Sequence, residues 1–451
     1  MKISNEEQRR RMLGEPAGKL LFSLACPTVV IQMITIIYNT ADTYFVSKIN
    51  TSASAAVGVA FSLMAVIQAF GYGIGMGANS LISRQLGTGN EENANKYGSS
   101  AVFAALILGL LLTVLGLIDI ERLMQFLGST KTMLPYACDY AKYILIGAPF
   151  MCVSFVLNNI LRSEGEAFFA MIGMTTGGVF NVILDPIFIF TLHMGIAGAA
   201  LATMLSQIVG VTLLASVFIL NKSIVRLRIR WISRNITDYL AILKSGFPTI
   251  CRQGLASIAS ALLNIKASYY GDAAVAAITI SNKVYMLVRN VILGIGQGYQ
   301  PIAGFCYGAG DKKRVRKLFS LSCLAGTAIC TAAAIIIFIF SPRIILWFRD
   351  DAEVVSVGRT ALRCACLVMP LIAYSTYVNQ TYQCLGFSLG ATILACCRQG
   401  IFFIPLALLL PDLLGVLGIQ ILQPMADLLT FLISVPFQTV FFRKYLSMEE
   451  A

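Results

Sequence analysis

The sequence predicts an all-α polytopic membrane protein: about twelve transmembrane helices in two six-helix lobes, related by a pseudo-two-fold axis along the membrane normal. Three observations predict it. Charge is too scarce to cover a water-facing surface, apolar runs of membrane-crossing length recur along the chain, and one unit of about six spans is written twice.

The 451 residues are 57% hydrophobic and 12% charged, with a mean hydropathy of +0.77. A soluble chain carries roughly 25% charged residues, so half that fraction implies a surface that mostly faces lipid. Apolar runs of about 20 residues match the length needed to cross a hydrocarbon core of ~30 Å at 1.5 Å per residue. They are centred near residues 30, 66, 107, 147, 180, 208, 254, 286, 330, 371, 400 and 431. Several contain Pro or paired Gly, which membrane helices tolerate where neighbours re-satisfy the freed backbone groups.

The formal charge of +12 is gathered in the amino-terminal tail (Lys2, Arg9, Arg10, Arg11, Lys19), in Lys222 to Arg234, in Lys312 to Lys317 and at Arg443 and Lys444. With twelve spans these segments share one side, while the opposite loops are short or acidic, as at Asp350, Asp351 and Glu353. The positive-inside rule then puts both termini in the cytoplasm of a multi-pass protein of the plasma (inner) membrane. The basic excess is a topology signal, and no nucleic-acid partner is expected. The tail runs straight into the first span, so no cleavable signal peptide is expected either.

The 12 cysteines show no metal spacing and read as small apolar packing residues within spans. His193 is the single histidine, which excludes catalysis by a His pair. Neither an enzymatic site nor a cofactor is expected.

The repeat can be read residue by residue. Gly73-Ile-Gly75-Met-Gly77 reappears as Gly294-Ile-Gly296-Gln-Gly298, and Gly87 and Gly89 reappear as Gly308 and Gly310, at a constant numbering offset of 221. The same offset carries Pro27 to Pro248, Gln32 to Gln253, Pro149 to Pro370, Asn158 to Asn379 and Gly165 to Gly386. It drops to 220 where Gly195 and Gly198 meet Gly415 and Gly418. An even number of spans per unit makes the halves parallel, and transporters built this way place substrate between the repeats. The expected organisation is an amino-terminal lobe over residues 1–221, a basic cytoplasmic linker over 222–238 and a carboxy-terminal lobe over 239–451. The glycine strings lie inside apolar spans with no preceding strand, so they read as close helix packing and not as nucleotide loops.

Ionisable side chains inside spans are functional candidates by default, costing about 2.5–3.5 kcal/mol at mid-helix on insertion scales. In the first half, Asp42 lies ~23 residues past Lys19, roughly 35 Å of helix, and Asp185 ~18 residues past the loop near Ala167, roughly 27 Å. Their depths match. Asn181 is one helical turn from Asp185 on the same face, and Thr203 enters from outside to a compatible depth. Two carboxylates in a poorly solvated pocket titrate as a coupled pair, and with an amide and a hydroxyl they could hold a proton or a small hard cation. Na⁺ at Asp42, Asn181, Asp185 and Thr203 is the only metal expected. In the second half, Arg252, Lys266, Lys283, Arg289 and Arg363 fall in spans with Asp427 as the one clear acid, a natural partner for Arg252, Lys283 or Arg289. Lys266 is read as snorkelling to an interface. Gln32, Gln253, Arg252, Lys283, Arg289 and Asp427 are candidates to line a substrate cavity.

The segments Asn39-Thr-Ala-Asp42-Thr43, Gly87-Thr-Gly89, Asn181-Val-Ile-Leu-Asp185-Pro186 and Gly195-Ile-Ala-Gly198-Ala-Ala-Leu-Ala-Thr203 resemble those of multidrug and toxic compound extrusion (MATE) transporters, across essentially the whole chain. The resemblance implies two six-helix lobes that exchange H⁺ or Na⁺ for small organic compounds, often cationic drugs, and a chain acting as a monomer in the lipid bilayer. It implies a cation-coupling role for Asp42, Asn181, Asp185 and Thr203, as in the bacterial DinF-like branch, with Tyr140 as a nearby fourth-helix tyrosine and Pro27 as the first-helix bend. Asn158 is left out because its depth puts it too near the cytoplasm. The NorM branch carries an acid near Gln253 and another in the tenth helix, where Pro370 to Gln380 has none, so carboxy-lobe cation coupling is not expected. A flippase for lipid-linked oligosaccharides or anionic lipids is the competing reading, supported by the basic second half.

Overall fold

Helices follow the apolar runs almost end to end. The computed structural model describes residues 5–49 and 51–446, so Lys2 of the basic tail lies outside the described residues. A short helix, α1 (Asn5–Gly14), precedes the first lobe: α2 (Ala17–Ser47), α3 (Thr51–Thr88), α4 (Glu91–Ile118), the short α5 (Ile120–Phe126), α6 (Leu134–Ser163), α7 (Ala167–Pro186) with a π-helical continuation over Ile187–Thr191, and α8 (Gly195–Ile219). The second lobe has α9 (Ile236–Ser268), α10 (Asp272–Gly308), α11 (Lys312–Phe348), α12 (Ala352–Cys384), then α13 (Ser388–Cys396), a π-helical segment over Cys397–Phe402 and α14 (Phe403–Leu414) in line, and α15 (Val416–Tyr445). No strand occurs among the described residues.

Ten of these spans are long and apolar enough to cross a membrane by length and composition. The helices α9 and α10 are as long, at 33 and 37 residues, and hold the places of α2 and α3 in the second lobe. Arg252 and Gln253 in one, and Lys283 and Arg289 in the other, lower their hydropathy. Twelve membrane-length elements result, six per lobe.

The repeat extends to individual hydrogen bonds. Asn90 caps α4 by accepting from Asn93 N, and its mate Asp311 caps α11 by accepting from Arg314 N. Asn158 Nδ2 donates to Ala170 O (3.0 Å), and its mate Asn379 donates to Ala391 O (2.6 Å). Asn158 thus braces a helix–helix joint away from the acids. Gly89 and Gly310 turn the chain at φ +81° and +82°, a region closed to most side chains.

The lobes close on each other at the end that holds the termini. A Cβ on Gly246 would lie 1.9 Å from Gly73 O, one on Gly77 2.1 Å from Ile242 O, and one on Gly298 2.6 Å from Ala25 Cα. Hydrogen bonds between the lobes gather there as well. Thr28 donates to Gly294 O (2.6 Å), Ser80 to Gln383 O (2.8 Å) and Arg84 to Leu385 O (3.3 Å). Arg162, 1% exposed, reaches Gln297 through its side-chain oxygen (3.2 Å) and its carbonyl (3.0 Å). Toward the other end, Ile37 and Tyr44 on α2 and Met286 and Leu287 on α10 are exposed. The glycine strings are therefore contact surfaces for closed lobes.

Between α8 and α9 the chain is strapped along the same end. Asn95 Oδ1 accepts from Arg226 N, Ser99 Oγ from Arg228 N, and Glu164 from Ser223 Oγ, Ile224 N and Val225 N. Glu164 sits beyond the last turn of α6, and burial lifts its carboxyl to about 7 despite those three donors.

Candidate functional site

Five side chains meet in the half of the first lobe away from the termini. Asp42 comes from α2, Tyr140 from α6, Asn181 and Asp185 from one face of α7, and Thr203 from α8. All are buried, at 0–5% exposure. Tyr140 Oη donates to Asp42 Oδ2 (3.1 Å), and Asn181 Nδ2 donates both to Thr203 Oγ1 (3.1 Å) and, at 3.4 Å, to Asp185 Oδ1. Asp42 is near enough for its charge to act on Asp185, and Tyr140 lies within the field of both.

Local sequence explains the arrangement. Asn181 and Asp185 are four apart and so stack on one helical face. Pro186 then ends the regular hydrogen bonding, and the π-helical turn that follows completes the span. Gly178 lets α2 approach, since a Cβ there would lie 2.9 Å from Ile34 Cγ2.

Among the described residues the site has no positive charge and too few donors for its oxygens. Asp42 Oδ1, Asp185 Oδ2 and Asn181 Oδ1 are buried acceptor oxygens with no hydrogen-bond donor in the structure, and none of the salt bridges reaches either acid. Buried polar atoms are rarely left unpaired. A proton or an oxygen-liganded cation brought here would satisfy these oxygens. A small cavity adjoins the site, lined among others by Tyr38, Ser154, Asn181 and Thr203.

The second-lobe candidates do not form one group. Asp427 is buried, but its partner is none of Arg252, Lys283 and Arg289. Arg398 Nε donates to Asp427 Oδ1 (2.6 Å), Tyr285 Oη donates to Oδ2, and Gln423 Nε2 donates to Oδ1 (3.1 Å). The expected pairing fails because helix rotation, which span assignment leaves open, turns Asp427 toward the π-helical segment that carries Arg398. Arg252 and Arg289 are part-buried and line a cavity with Arg398, whereas Lys283 is exposed. Gln32 and Gln253 are part-buried. Lys266 makes a salt bridge with Asp412 near the end of α9 (3.5 Å), so the snorkelling reading gains an ionic partner. Pro27 lies inside an unbroken α2 and is buried.

Arg398, Tyr285 and Arg162 are missing from the sequence reading. Arg398 and Arg162 are charges within or bordering apolar spans, the same signal that marks Arg252. Tyr285 carries no such signal, because a tyrosine in an apolar run ordinarily reads as packing.

Both the repeat and the fold have counterparts among known proteins. The family model described as MatE matches residues 27–187 and again residues 248–409. The two matches begin at Pro27 and Pro248, a pair that the internal repeat relates. The chain is 26% identical over 403 residues to the multidrug export protein MepA of Staphylococcus saprophyticus, covering 89% of this chain and 88% of that protein. It is also 26% identical over 431 residues to an FAD transporter of Shewanella oneidensis, covering 94% of each. A solved outward-facing conformation of a multidrug resistance MATE family transporter superposes with a TM-score of 0.91 at 26% identity, over 98% of this chain and 99% of that one.

Proposed function

The chain belongs to the MatE family, and from that premise we propose that it exports small organic compounds in exchange for H⁺ or Na⁺ by alternating access. As a member it is a multi-pass membrane transporter and not an enzyme. The observation that carries the exchange is the buried pair Asp42 and Asp185, with three acceptor oxygens of the site unpaired and no Lys or Arg in salt bridge with either acid among the described residues.

The terminal end of the molecule is the cytoplasmic one by the distribution of Lys and Arg, so a structure closed there and open opposite is outward-facing. In that state the acids of the first lobe are loaded from outside. A bound cation biases the two conformations only by its differential affinity for them. Release inward supplies about 2.3 kcal/mol per charge per 100 mV. The moving bodies are residues 1–221 and 239–451, joined by the strap over 222–238, and Pro27 is where α2 would bend as the lobes rock. One relative is named for multidrug export and the other for FAD transport; the basic cavity of the second lobe favours an anionic cargo and keeps a lipid flippase as the second reading.

The test is transport in proteoliposomes. Ethidium and FAD export driven by an imposed ΔpH or Na⁺ gradient should occur with the wild type and be lost with Asp42→Asn and with Asp185→Asn. Gradient-driven export that survives both substitutions unchanged sinks the assignment.

A further inference from the structure

A second cavity lies inside the second lobe, at the place that the repeat relates to the first. Ser154, Gly173, Met174 and Gly177 line one, and their mates at the repeat offset, Ser375, Leu394, Ala395 and Arg398, line the other. The second is cationic. Arg252 from α9, Arg289 from α10 and Arg398 from the π-helical segment all contribute to its wall.

One of the three charges is balanced. Asp427, outside the wall, holds Arg398 through the contact described above, and no carboxylate is among the residues that line the cavity. Arg252 and Arg289 make no ion pair or hydrogen bond among the described residues; both feel the repulsion of Arg398, and Asp427 acts on Arg289 only at a distance. Neither can escape to an interface. Arg252 is 16 residues from either end of α9, and Arg289 is 17 from the start of α10, or about 24 Å of helix, beyond the reach of a snorkelling side chain. Paired, half-desolvated guanidinium groups present planar forks that match two oxygens of a phosphate or carboxylate.

The geometry points to an oxyanion site: Arg252 and Arg289 hold the phosphate or carboxylate of a small organic substrate, with Arg398 fixed behind them by Asp427. This rests on the exporter reading and names the class of cargo. A doubly charged phosphate would bring the three arginines and Asp427 to neutrality.

The test is equilibrium binding to the full-length protein in nanodiscs, which does not depend on ion coupling. AMP should bind saturably in phosphatidylcholine discs, and its affinity should fall at least 30-fold in Arg252→Gln/Arg289→Gln. Asp42→Asn should bind AMP like the wild type while losing gradient-driven export, so failure of coupling and failure of the anion site are told apart. In discs containing phosphatidylglycerol, competition with AMP would assign a lipid headgroup as the natural occupant, and absence of competition a soluble oxyanion; either outcome keeps the site. Independently of any variant, phenylglyoxal modification of Arg252 and Arg289 in the wild type should be slowed by AMP, with the exposed Arg122 unaffected. The inference is overturned if neither AMP nor phosphatidylglycerol binds, if the double variant binds equally well, or if AMP protects neither arginine.

Discussion

The two lobes share a backbone plan and reverse their electrostatics. Where the first lobe has Asp42 and Tyr140, the second has Leu263 and Ala361 at the repeat-related positions, packed in an apolar cluster with Ile419 and Leu422. Where the second has Arg252, Arg289 and Arg398, the first has Ile31, Gln68 and Gly177. What recurs is what the backbone needs: capping residues, the bracing asparagines, and glycines where the chain turns at positive φ or helices touch. The polar sites do not recur. A duplicated scaffold thus supplies two equivalent cavities, and a few substitutions set one beside buried acids and line the other with arginines.

The sharpest way to break the comparison is to give the first lobe the residue of the second. Asp42→Leu should fold, because Leu263 is accommodated at the same place, and should lose coupled export by at least 100-fold. Asp427→Gln, which installs the first-lobe residue Gln207, should leave the ion dependence of any remaining export intact. If Asp427→Gln abolishes the response to ΔpH and Na⁺ while Asp42→Leu keeps it, the roles of the lobes are reversed.

The next effect is on stability. Truncating one member of a buried ion pair leaves a bare charge and typically costs about 3–5 kcal/mol, whereas replacing both members by apolar groups is often nearly neutral. Arg398→Leu should therefore lower the unfolding temperature strongly, and Arg398→Leu/Asp427→Leu should recover most of it. The buried thiols of Cys152, Cys306 and Cys384 give the readout, since a thiol-reactive dye reports their exposure on heating. Asp42→Asn should show no loss, because that acid has no cation to leave behind. Equal destabilisation by the single and double variants would break the distinction between a balanced and an unbalanced acid.

Much of this was legible in the sequence. The constant repeat offset related Gly73 to Gly294 in strings that read as close helix packing, though not as the faces on which the lobes close, and helix depth alone brought Asp42, Asn181, Asp185 and Thr203 to one level. Depth is readable because each residue adds a fixed rise. Rotation is not, since it depends on which neighbours pack where. That is why depth pairs Asp427 with Arg252, Lys283 or Arg289 while the folded chain pairs it with Arg398, and why Lys283 is exposed. The part in π-helix was further hidden, because a widened turn shifts the face that a regular helical count assigns to Arg398.

Smaller in effect, the interface glycines sharpen the comparison between the two ends of the molecule. Gly246→Ala puts a methyl group against Gly73 O and should weaken closure at the terminal end, shifting spin-label distances across it toward an inward-open population. Gly254→Ala is the control. No atom lies within 4 Å of a Cβ there, so it should leave the distances alone and stabilise the helix by up to about 1 kcal/mol. Identical distances in both variants would show that the glycine contact does not hold the closed end.

The smallest expected effect concerns Glu164, whose mate in the second lobe is the buried Leu385. The carboxyl is 1% exposed and accepts from Ser223, Ile224 and Val225, yet burial outweighs these donors and lifts it to about 7. A carboxyl raised in the folded state binds its proton more tightly there than in the unfolded chain. Its contribution is therefore fully present below about 4.5, the ordinary value, and is lost as pH rises through about 7. Wild-type unfolding temperature should fall between pH 5 and pH 8 by a few degrees more than that of Glu164→Gln, which cannot ionise. Amide exchange at Ile224 and Val225 supplies the local readout: if the strap unfastens as a charged Glu164 draws in water, their protection should drop over the same window in the wild type and stay level in the variant. Parallel pH profiles for the two proteins would mean that the three donors hold the carboxylate ionised throughout, and that the strap at the terminal end is as insensitive to pH in the first lobe as Leu385 must be in the second.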